Sequence, residues 1–224
     1  MEPGQTPDCQ ALAQNLQQVQ DRIDRACARI GRDPSSVTLV AVSKTFSAEH
    51  VRALYDLGHR DFGENRVQEA STKIPDLPGD IRWHYIGKVQ TNKARKIADL
   101  FDVVHSVESD LHMQHLDQTV RTLGAFLQVN VGREPQKSGI FPEALDSLVP
   151  CLLKYQHVEL TGLMTIGPWN DDPEASRGLF RQLAECAQRV GLTRLSMGMS
   201  HDLEVAIEEG ATHIRVGTAL FGHR

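Results

Sequence analysis

A lysine stands directly after the first apolar run of the chain. Residues 37–42 read Val-Thr-Leu-Val-Ala-Val, a short β-branched segment that is followed by Ser43 and Lys44. Partial burial at the end of such a strand disfavours the ammonium form, and a neutral amine can attack a carbonyl carbon to form an imine. The alternative interpretation is a lysine that extends its charged end into solvent at the end of a strand.

Two turns rich in glycine and hydroxyl residues lie near the C-terminus. The first reads Leu-Ser-Met-Gly-Met-Ser at 195–200, and Ser200 would cap a predicted helix over 201–209; the second reads Ile-Arg-Val-Gly-Thr-Ala-Leu-Phe-Gly at 214–222. Small residues let backbone amides close around an anion, and a helix N-terminus favours negative charge. The turns therefore indicate a phosphate pocket, unless the glycines only make tight turns and Ser200 is only a cap. No P-loop or GxGxxG motif is present, so a nucleotide is not indicated.

Arg215 lies inside the last predicted strand, two residues before Gly217. Its side chain points either outward to a helix or inward to the mouth of the fold, where it would be a fixed cation. A lysine, a phosphate pocket and a strand arginine together indicate a phosphorylated carbonyl compound held as an imine. Both pyridoxal phosphate and a sugar phosphate in an aldolase meet that description.

Four further features give weaker signals. Asn65 follows the second predicted strand and either reaches a ligand or caps the next helix, whereas His84, within the third strand, is more often a core histidine than a catalyst. Met199 is most simply core or pocket-wall packing. The basic run Lys88, Lys93, Arg95 and Lys96 is typical of a solvated helix face, and a second, transient cofactor site there is an open hypothesis.

The periodicity of apolar residues predicts the elements that must position these side chains. An N-terminal helix over 6–31 has one apolar face, with Thr6 as its cap, Pro7 at its first position and Gly31 beyond its end. A second helix begins after Ser47, and a long one runs from 172 to 191. The predicted strands cover 37–42, 60–63, 82–86, 102–106, 125–131, 159–165, 194–197 and 213–217.

Eight strands that alternate with helices predict parallel βαβ units. They can form either a doubly wound sheet or a closed (β/α)8 TIM barrel, and the count of eight favours the barrel, although the chain of 224 residues is short for it. In both architectures ligands bind at the carboxyl ends of the strands. Lys44 and the two glycine-rich turns follow strand ends, so we expect them to share one site.

Composition excludes several classes of function. The net charge of −5 argues against a dominant nucleic-acid surface. The four cysteines are far apart and form no CxxC pair or Cys/His cluster, so we expect neither a disulfide framework nor a metal site. The N-terminus does not read as a signal peptide, and no apolar run is long enough to cross a membrane. We therefore expect a cytoplasmic protein.

The same segments resemble a known family, the pyridoxal phosphate homeostasis proteins, which are single-domain relatives of the alanine racemase N-terminal barrel. The matching stretches run in the family's order from about residue 37 to the end: AVSKTF (41–46), DFGENRVQE (61–69), WHYIGKVQTNK (83–93), VHSVES (104–109), LQVNVGREPQKSG (127–139), GLMTI (162–166), LSMGMSHDLEVAI (195–207) and IRVGTALFG (214–222). Together they are far more specific than any one of them.

The resemblance implies a set of residues that bind pyridoxal 5′-phosphate (PLP). Lys44 would carry the cofactor as an internal aldimine, and Ser200, Gly217 and Thr218 would hold its phosphate. Arg215 would face the pyridine nitrogen. The whole set is Lys44, Asn65, His84, Met199, Ser200, Arg215, Gly217 and Thr218.

The resemblance also places Asn65 and His84 near the cofactor ring, but it implies little catalysis. An arginine opposite the pyridine nitrogen disfavours protonation of the ring, which makes the ring a poor electron sink. Racemisation also needs a second acid/base on the other face of the substrate. In racemases a separate domain supplies that group, and we expect none here because the chain ends at Arg224 with the barrel.

The sequence therefore predicts one PLP-binding domain over 1–224, with the N-terminal helix at 6–31 and the barrel at 37–222. We expect a monomer that buffers or delivers PLP, meets PLP-dependent apoenzymes transiently and is not an enzyme. Two alternatives stay open. One is an amino-acid racemase or other PLP enzyme acting from the bare barrel, and the other is a class I aldolase that uses Lys44 on a sugar phosphate.

Overall fold

Eight parallel strands form a closed barrel in the computed structural model, which describes residues 6–167 and 170–222. Each strand pairs with its neighbours in chain order, as expected when every strand is followed by a crossover. The strands are β1 Thr38–Val42, β2 Asp61–Glu64, β3 Arg82–Tyr85, β4 Val103–Val107, β5 Leu123–Gln128, β6 Val158–Met164, β7 Arg194–Ser196 and β8 His213–Val216.

The helices of the described residues pack around this barrel. Short 3₁₀ turns precede several of them, including Pro173–Ser176, which forms the first turn of the helix predicted over 172–191. The α-helices are α1 Cys9–Arg29, α2 Ala48–Asp56, α3 Val67–Lys73, α4 Ala94–Leu100, α5 Asp110–Leu116, α6 Leu145–Leu152, α7 Arg177–Arg189, α8 Leu203–Glu208 and α9 Thr218–Phe221.

The first and last strands close the barrel by pairing directly. On one side β1 pairs with β2, with Ala41 opposite Phe62, and on the other side it pairs with β8, with Val40 opposite Arg215. The closed barrel confirms the prediction made from the strand count and rules out the doubly wound sheet. It also brings the segments after β1, β7 and β8 to the same end of the barrel.

Buried side chains lie in two separate regions of the protein. Most buried residues lie between the strands and the surrounding helices, where they form one continuous core. Inside the barrel, by contrast, aromatic and imidazole rings from different strands contact one another. His105 stacks on Phe126 with a centroid separation of 4.7 Å, and His213 meets Phe126 at 4.9 Å and His84 at 6.2 Å.

Helix α1 covers the barrel beside the C-terminal segments. The predicted cap Thr6 is wrong: the helix begins at Cys9, because the Asp8 carboxylate accepts the amides of Gln10 and Ala11. Gly31, at φ +64°, does lie just beyond the helix end, as predicted. From this helix Arg22 donates to both oxygens of Glu204 on α8 at 2.6 and 2.7 Å.

The predicted strands agree with the observed ones to within two or three residues. The largest difference is in β5, which ends at Gln128 rather than at residue 131. Beyond Gln128 the chain leaves the sheet, because the Asn130 amide donates to the carbonyl of Ile140 instead of to a neighbouring strand. Within residues 6–167 and 170–222 no helix has the length and apolar character needed to cross a membrane.

Replacing Ile23 tests how much α1 contributes to stability. Ile23 is 1% exposed, so Ile23→Ala is expected to lower the free energy of unfolding by about 2–5 kcal/mol through lost burial and a cavity. Urea denaturation followed by circular dichroism measures this loss. Ile30, at the end of the same helix, is 44% exposed, so Ile30→Ala should change stability by only about 0.5 kcal/mol. Equal losses in the two variants would contradict burial of this face.

Candidate functional site

A cavity of about 710 Å³ opens at the carboxyl ends of the strands. Its volume lies in the range of small-molecule sites. Six of the eight predicted residues line it, which brings the segments after β1, β7 and β8 together as expected. These six are Lys44, Met199, Ser200, Arg215, Gly217 and Thr218.

Lys44 occupies a tight turn directly after β1. The next residue, Thr45, has φ +70°, a left-handed conformation that a β-branched side chain disfavours. Such a conformation costs about 1–3 kcal/mol, so neighbouring contacts must hold it. The Thr45 amide donates to Glu69 Oε1 on α3 at 2.6 Å, and this charge-assisted bond fixes the turn on one side of the lysine.

A buried ammonium fixes the other side of the turn. Lys73, on α3, donates from Nζ to the Ser43 carbonyl at 3.1 Å, to Glu64 Oε1 at 2.6 Å and to Glu69 Oε1 at 3.1 Å. Burial raises the pKa of the Glu64 carboxyl above its ordinary value, against the opposing effect of the Lys73 ammonium. The same cluster therefore holds the backbone on both sides of Lys44.

The sequence reasoning missed this cluster. One signal for it was present, because Glu69 and Lys73 have the i,i+4 spacing of an ion pair on a helix. That spacing does not reveal that the pair is buried or that it meets Glu64 and Ser43, which depends on how α3 packs on the barrel.

The loop after β7 differs from its prediction in one respect. Ser200 does not cap α8: that helix begins at Leu203, and its N-cap residue is Asp202, whose carboxylate accepts the Met199 amide at 2.7 Å. Ser200 instead accepts the Ala219 amide at 3.2 Å through its Oγ, at the first turn of α9. The hydroxyl thus joins the loop after β7 to the loop after β8.

Two glycines lie in these loops, and the backbone requires glycine at only one of the two positions. Gly198 has φ +88°, and a Cβ there would lie 2.5 Å from the Cβ of Ala206, so only glycine fits. A Cβ at Gly217 would lie 3.5 Å from the Cβ of Val42, an ordinary contact at the wall of the cavity. Thr218 follows as the first residue of α9, where helix amides have no acceptor within the helix.

Arg215 points into the barrel, which decides between the two predicted orientations. Its side chain is almost fully buried, with Nη1 donating to Ser196 Oγ at 2.5 Å and Nη2 donating to the Thr165 carbonyl at 2.9 Å. Burial lowers the pKa of the guanidinium to about 10, so the group is still a cation at neutral pH. The cavity therefore contains one fixed, buried positive charge.

His84 and Asn65 lie outside the lining of the cavity. His84 is fully buried inside the barrel, where its ring nitrogens meet Asp61 Oδ1 and His105 Nε2 at 2.9 Å each. This position matches the core histidine of the alternative interpretation. The backbone of Asn65 packs so closely on Gly87, after β3, that a Cβ at residue 87 would overlap its carbonyl. That His84 or Asn65 lies near the ring of a bound cofactor stays a prediction.

Two other predictions concern the basic run and metal binding. Lys88 and Lys96 of the basic run are exposed and do not line it, so a second site there also stays a prediction. Among the residues described, no three His, Cys, Asp or Glu side chains are grouped as a metal ion would require.

Comparison with known proteins relates the chain to one family. The family described as alanine racemase, N-terminal domain, matches residues 8–224. The pyridoxal phosphate homeostasis protein of Pseudomonas aeruginosa is 45% identical over 222 residues, covering 95% of this chain and 96% of that protein. The protein of the same name from Aquifex aeolicus is 40% identical over 222 residues, with coverage of 94% and 97%.

Solved structures give the same relationship. PipY from Synechococcus elongatus PCC7942, solved with PLP bound, is 42% identical, with a TM-score of 0.77 and coverage of 90% of this chain and all of that one. Alanine racemase from Corynebacterium glutamicum is 18% identical, with a TM-score of 0.70 and coverage of 96% of this chain and 61% of the racemase chain. At that identity the likeness to the racemase concerns the fold alone.

Replacing Lys73 tests the cluster that holds the lysine turn. Lys73→Ala leaves the Glu64 carboxyl buried without its cation, so we expect the free energy of unfolding to fall by about 3–5 kcal/mol. Lys96, which is exposed on α4, is the matched control, and Lys96→Ala should be close to neutral. The double variant Lys73→Met with Glu64→Leu should recover much of the loss. If Lys73→Ala proved as stable as Lys96→Ala, the cluster would not hold the turn.

Proposed function

This chain belongs to the alanine racemase N-terminal domain family and, within it, to the pyridoxal phosphate homeostasis proteins, and we propose that it binds pyridoxal 5′-phosphate at the mouth of its barrel. The protein holds the cofactor in reserve and delivers it, as part of vitamin B6 homeostasis. One observation carries the proposal: Lys44, the buried cation of Arg215 and the hydroxyls of Ser200 and Thr218 line one cavity. The PLP-bound relative PipY supports the same assignment.

The lining of the cavity fits each part of the cofactor. Lys44 provides the amine that joins the aldehyde as a Schiff base. Ser200 and Thr218 provide hydroxyls for the phosphate, and Gly217 leaves room for it at the start of α9, where helix amides favour an anion. Apolar side chains suit the faces of the ring: Val42, Ile86, Met164 and Met199.

Arg215 favours a carrier over an enzyme. When bound, PLP supplies an electron sink whose strength depends on protonation of its ring nitrogen. A guanidinium beside that nitrogen disfavours the added proton, because two positive charges would then lie together in a buried site. Arg215 therefore orients the ring and keeps it a weak sink, and the protein stores PLP without substantial catalysis.

Delivery of PLP requires recipient proteins and a cellular compartment, which complete the proposal. Apoenzymes that need PLP meet the protein transiently, and the mouth of the barrel faces them. All four cysteines are free thiols, which suits the reducing cytoplasm where we place the protein. We propose that it acts there as a monomer of one domain.

Racemisation of amino acids from the isolated barrel is the second candidate, favoured by the fold shared with alanine racemases. It requires a base on each face of the substrate α-carbon. Lys44 is one candidate base in the cavity, and His201, which also lines it, is the other.

Visible absorbance tests where the cofactor is attached. After incubation with PLP and desalting, the wild-type protein is expected to be yellow and to lose the colour on addition of borohydride, which reduces an imine. Lys44→Ala should be colourless, because the amine that forms the Schiff base is gone. Lys154→Ala, which alters an exposed lysine, is the control and should behave as the wild type does.

Each contrary result has a definite meaning. Colour in both wild type and Lys44→Ala would move the attachment to another lysine. A colourless wild type would remove the PLP proposal and favour the aldolase, whose imine forms only with its sugar phosphate substrate.

Turnover separates the carrier from the racemase. We expect the PLP-loaded protein to interconvert D- and L-amino acids no faster than free PLP at the same concentration, because its ring is a weak electron sink. Chiral chromatography of a panel of amino acids measures the rate. Interconversion well above that of free PLP, lost in Lys44→Ala, would establish the racemase instead.

A further inference from the structure

A chain of hydrogen bonds crosses the interior of the barrel behind Arg215. Arg215 Nη1 donates to Ser196 Oγ at 2.5 Å, and Ser196 Oγ lies 2.7 Å from Nδ1 of His105. His105 Nε2 is 2.9 Å from Nδ1 of His84, whose Nε2 is 2.9 Å from Oδ1 of Asp61 at the start of β2. Five side chains from five strands thus connect the cavity with the amino end of β2.

The members of the chain differ in their access to solvent. The side chains of Ser196, His105 and His84 are fully buried, whereas the Asp61 side chain is 20% exposed. The Asp61 carboxylate also faces Arg82 Nη1 at 3.4 Å, and its backbone carbonyl meets Nε2 of His59. The carboxylate is therefore the solvent-accessible, anionic end of a chain whose cationic end lines the cavity.

The direction of every bond follows from Arg215. A guanidinium has no acceptor, so Ser196 Oγ must accept from it, and the single hydroxyl proton of Ser196 must go elsewhere. Among residues 6–167 and 170–222, the other partner of Ser196 Oγ is His105 Nδ1, which therefore accepts. Burial, with the Arg215 guanidinium nearby, keeps the pKa of His105 well below its usual range, so its one ring proton is on Nε2.

The same logic fixes the next two bonds. His105 Nε2–H donates to Nδ1 of His84, which leaves the proton of His84 on Nε2, pointing at Asp61. The reverse direction would leave the buried hydroxyl hydrogen of Ser196 without an acceptor, which is unfavourable. Every bond thus donates away from the guanidinium and toward the carboxylate, an arrangement in which hydrogen bonds polarise and strengthen one another.

We infer that Asp61 is a positioning residue for Arg215, acting through the one-directional chain His84–His105–Ser196. The inference rests on the proposed function, because its consequence is that the guanidinium is presented to the ring of bound PLP in one fixed orientation. His84 then serves the cofactor without touching it. A side chain at the amino end of β2 influences a site at the carboxyl ends of the strands.

The ring tautomers of the histidines test the chain without any cofactor. Nitrogen-15 NMR of the PLP-free protein, labelled at histidine, is expected to show both His84 and His105 with a proton on Nε2 and none on Nδ1. His84→Gln and His105→Gln assign the signals. A ring protonated at Nδ1, or a doubly protonated ring, in either residue would overturn the inference.

Cofactor retention tests the consequence. Asp61→Ala should raise the apparent dissociation constant for PLP about tenfold, the size of one hydrogen bond to a charged group. Asp102, the residue before β4, is the matched control: its carboxylate accepts the Trp83 amide and Arg121, but it takes no part in the hydrogen-bond chain. Asp102→Ala, compared at equal folded fraction by circular dichroism, should change the constant less than twofold.

The outcomes are distinguishable from failure of the proposed function. Equal losses in Asp61→Ala and Asp102→Ala would reduce Asp61 to a structural role and overturn the inference. If Asp61→Ala does not fold, the wild-type tautomers alone decide. If the wild-type protein binds no PLP, the proposed function fails. The role of Asp61 toward the cofactor then fails with it, whatever the NMR shows of the hydrogen-bond chain.

Discussion

The pairing of β1 with both β2 and β8 closes the barrel, and the position of every residue at the cavity follows from that closure. A parallel sheet has its carboxyl ends on one side, and closure turns that side into a ring. Lys44 leaves the first strand and Gly217 the last, 173 positions apart in the sequence, yet closure makes their strands direct neighbours. Without the bonds between β1 and β8, the lysine and the glycine-rich turns would lie at opposite edges of an open sheet.

Closure also creates an interior that holds several polar side chains. Three histidines, a serine and an arginine are buried there, beside the ring of Phe126. Burial lowers the pKa of His213 to about 3 and that of His105 well below its ordinary value, so both are neutral at physiological pH. A buried polar group is tolerated only if it is hydrogen-bonded, and the chain from Arg215 to Asp61 meets that requirement while leaving one cation at the cavity.

Much of this arrangement could be predicted from the sequence. The strands alternate with helices at spacings set by backbone geometry, so their number and approximate ends follow from apolar periodicity. Lys44 and the glycine-rich turn within 214–222 lie at strand ends. Because ligands bind at the carboxyl ends of parallel strands, this position alone places them at the mouth of a barrel. Helix starts were less predictable: α1 and α8 begin after Asp8 and Asp202 rather than after Thr6 and Ser200, because several polar residues near each start can occupy the N-cap position.

The amino-acid sequence was enough to predict the elements, the end of the barrel where the site lies and, through family resemblance, the residues of that site. Which buried groups meet depends on the folded chain: Lys73 contacts Glu64 beside the lysine turn, and Asp61 contacts His84 inside the barrel. These contacts join residues whose spacing carries no periodic signal. Their partners are set by strand register and helix packing, since a side chain's neighbours across a closed sheet depend on the whole chain and not on any local segment.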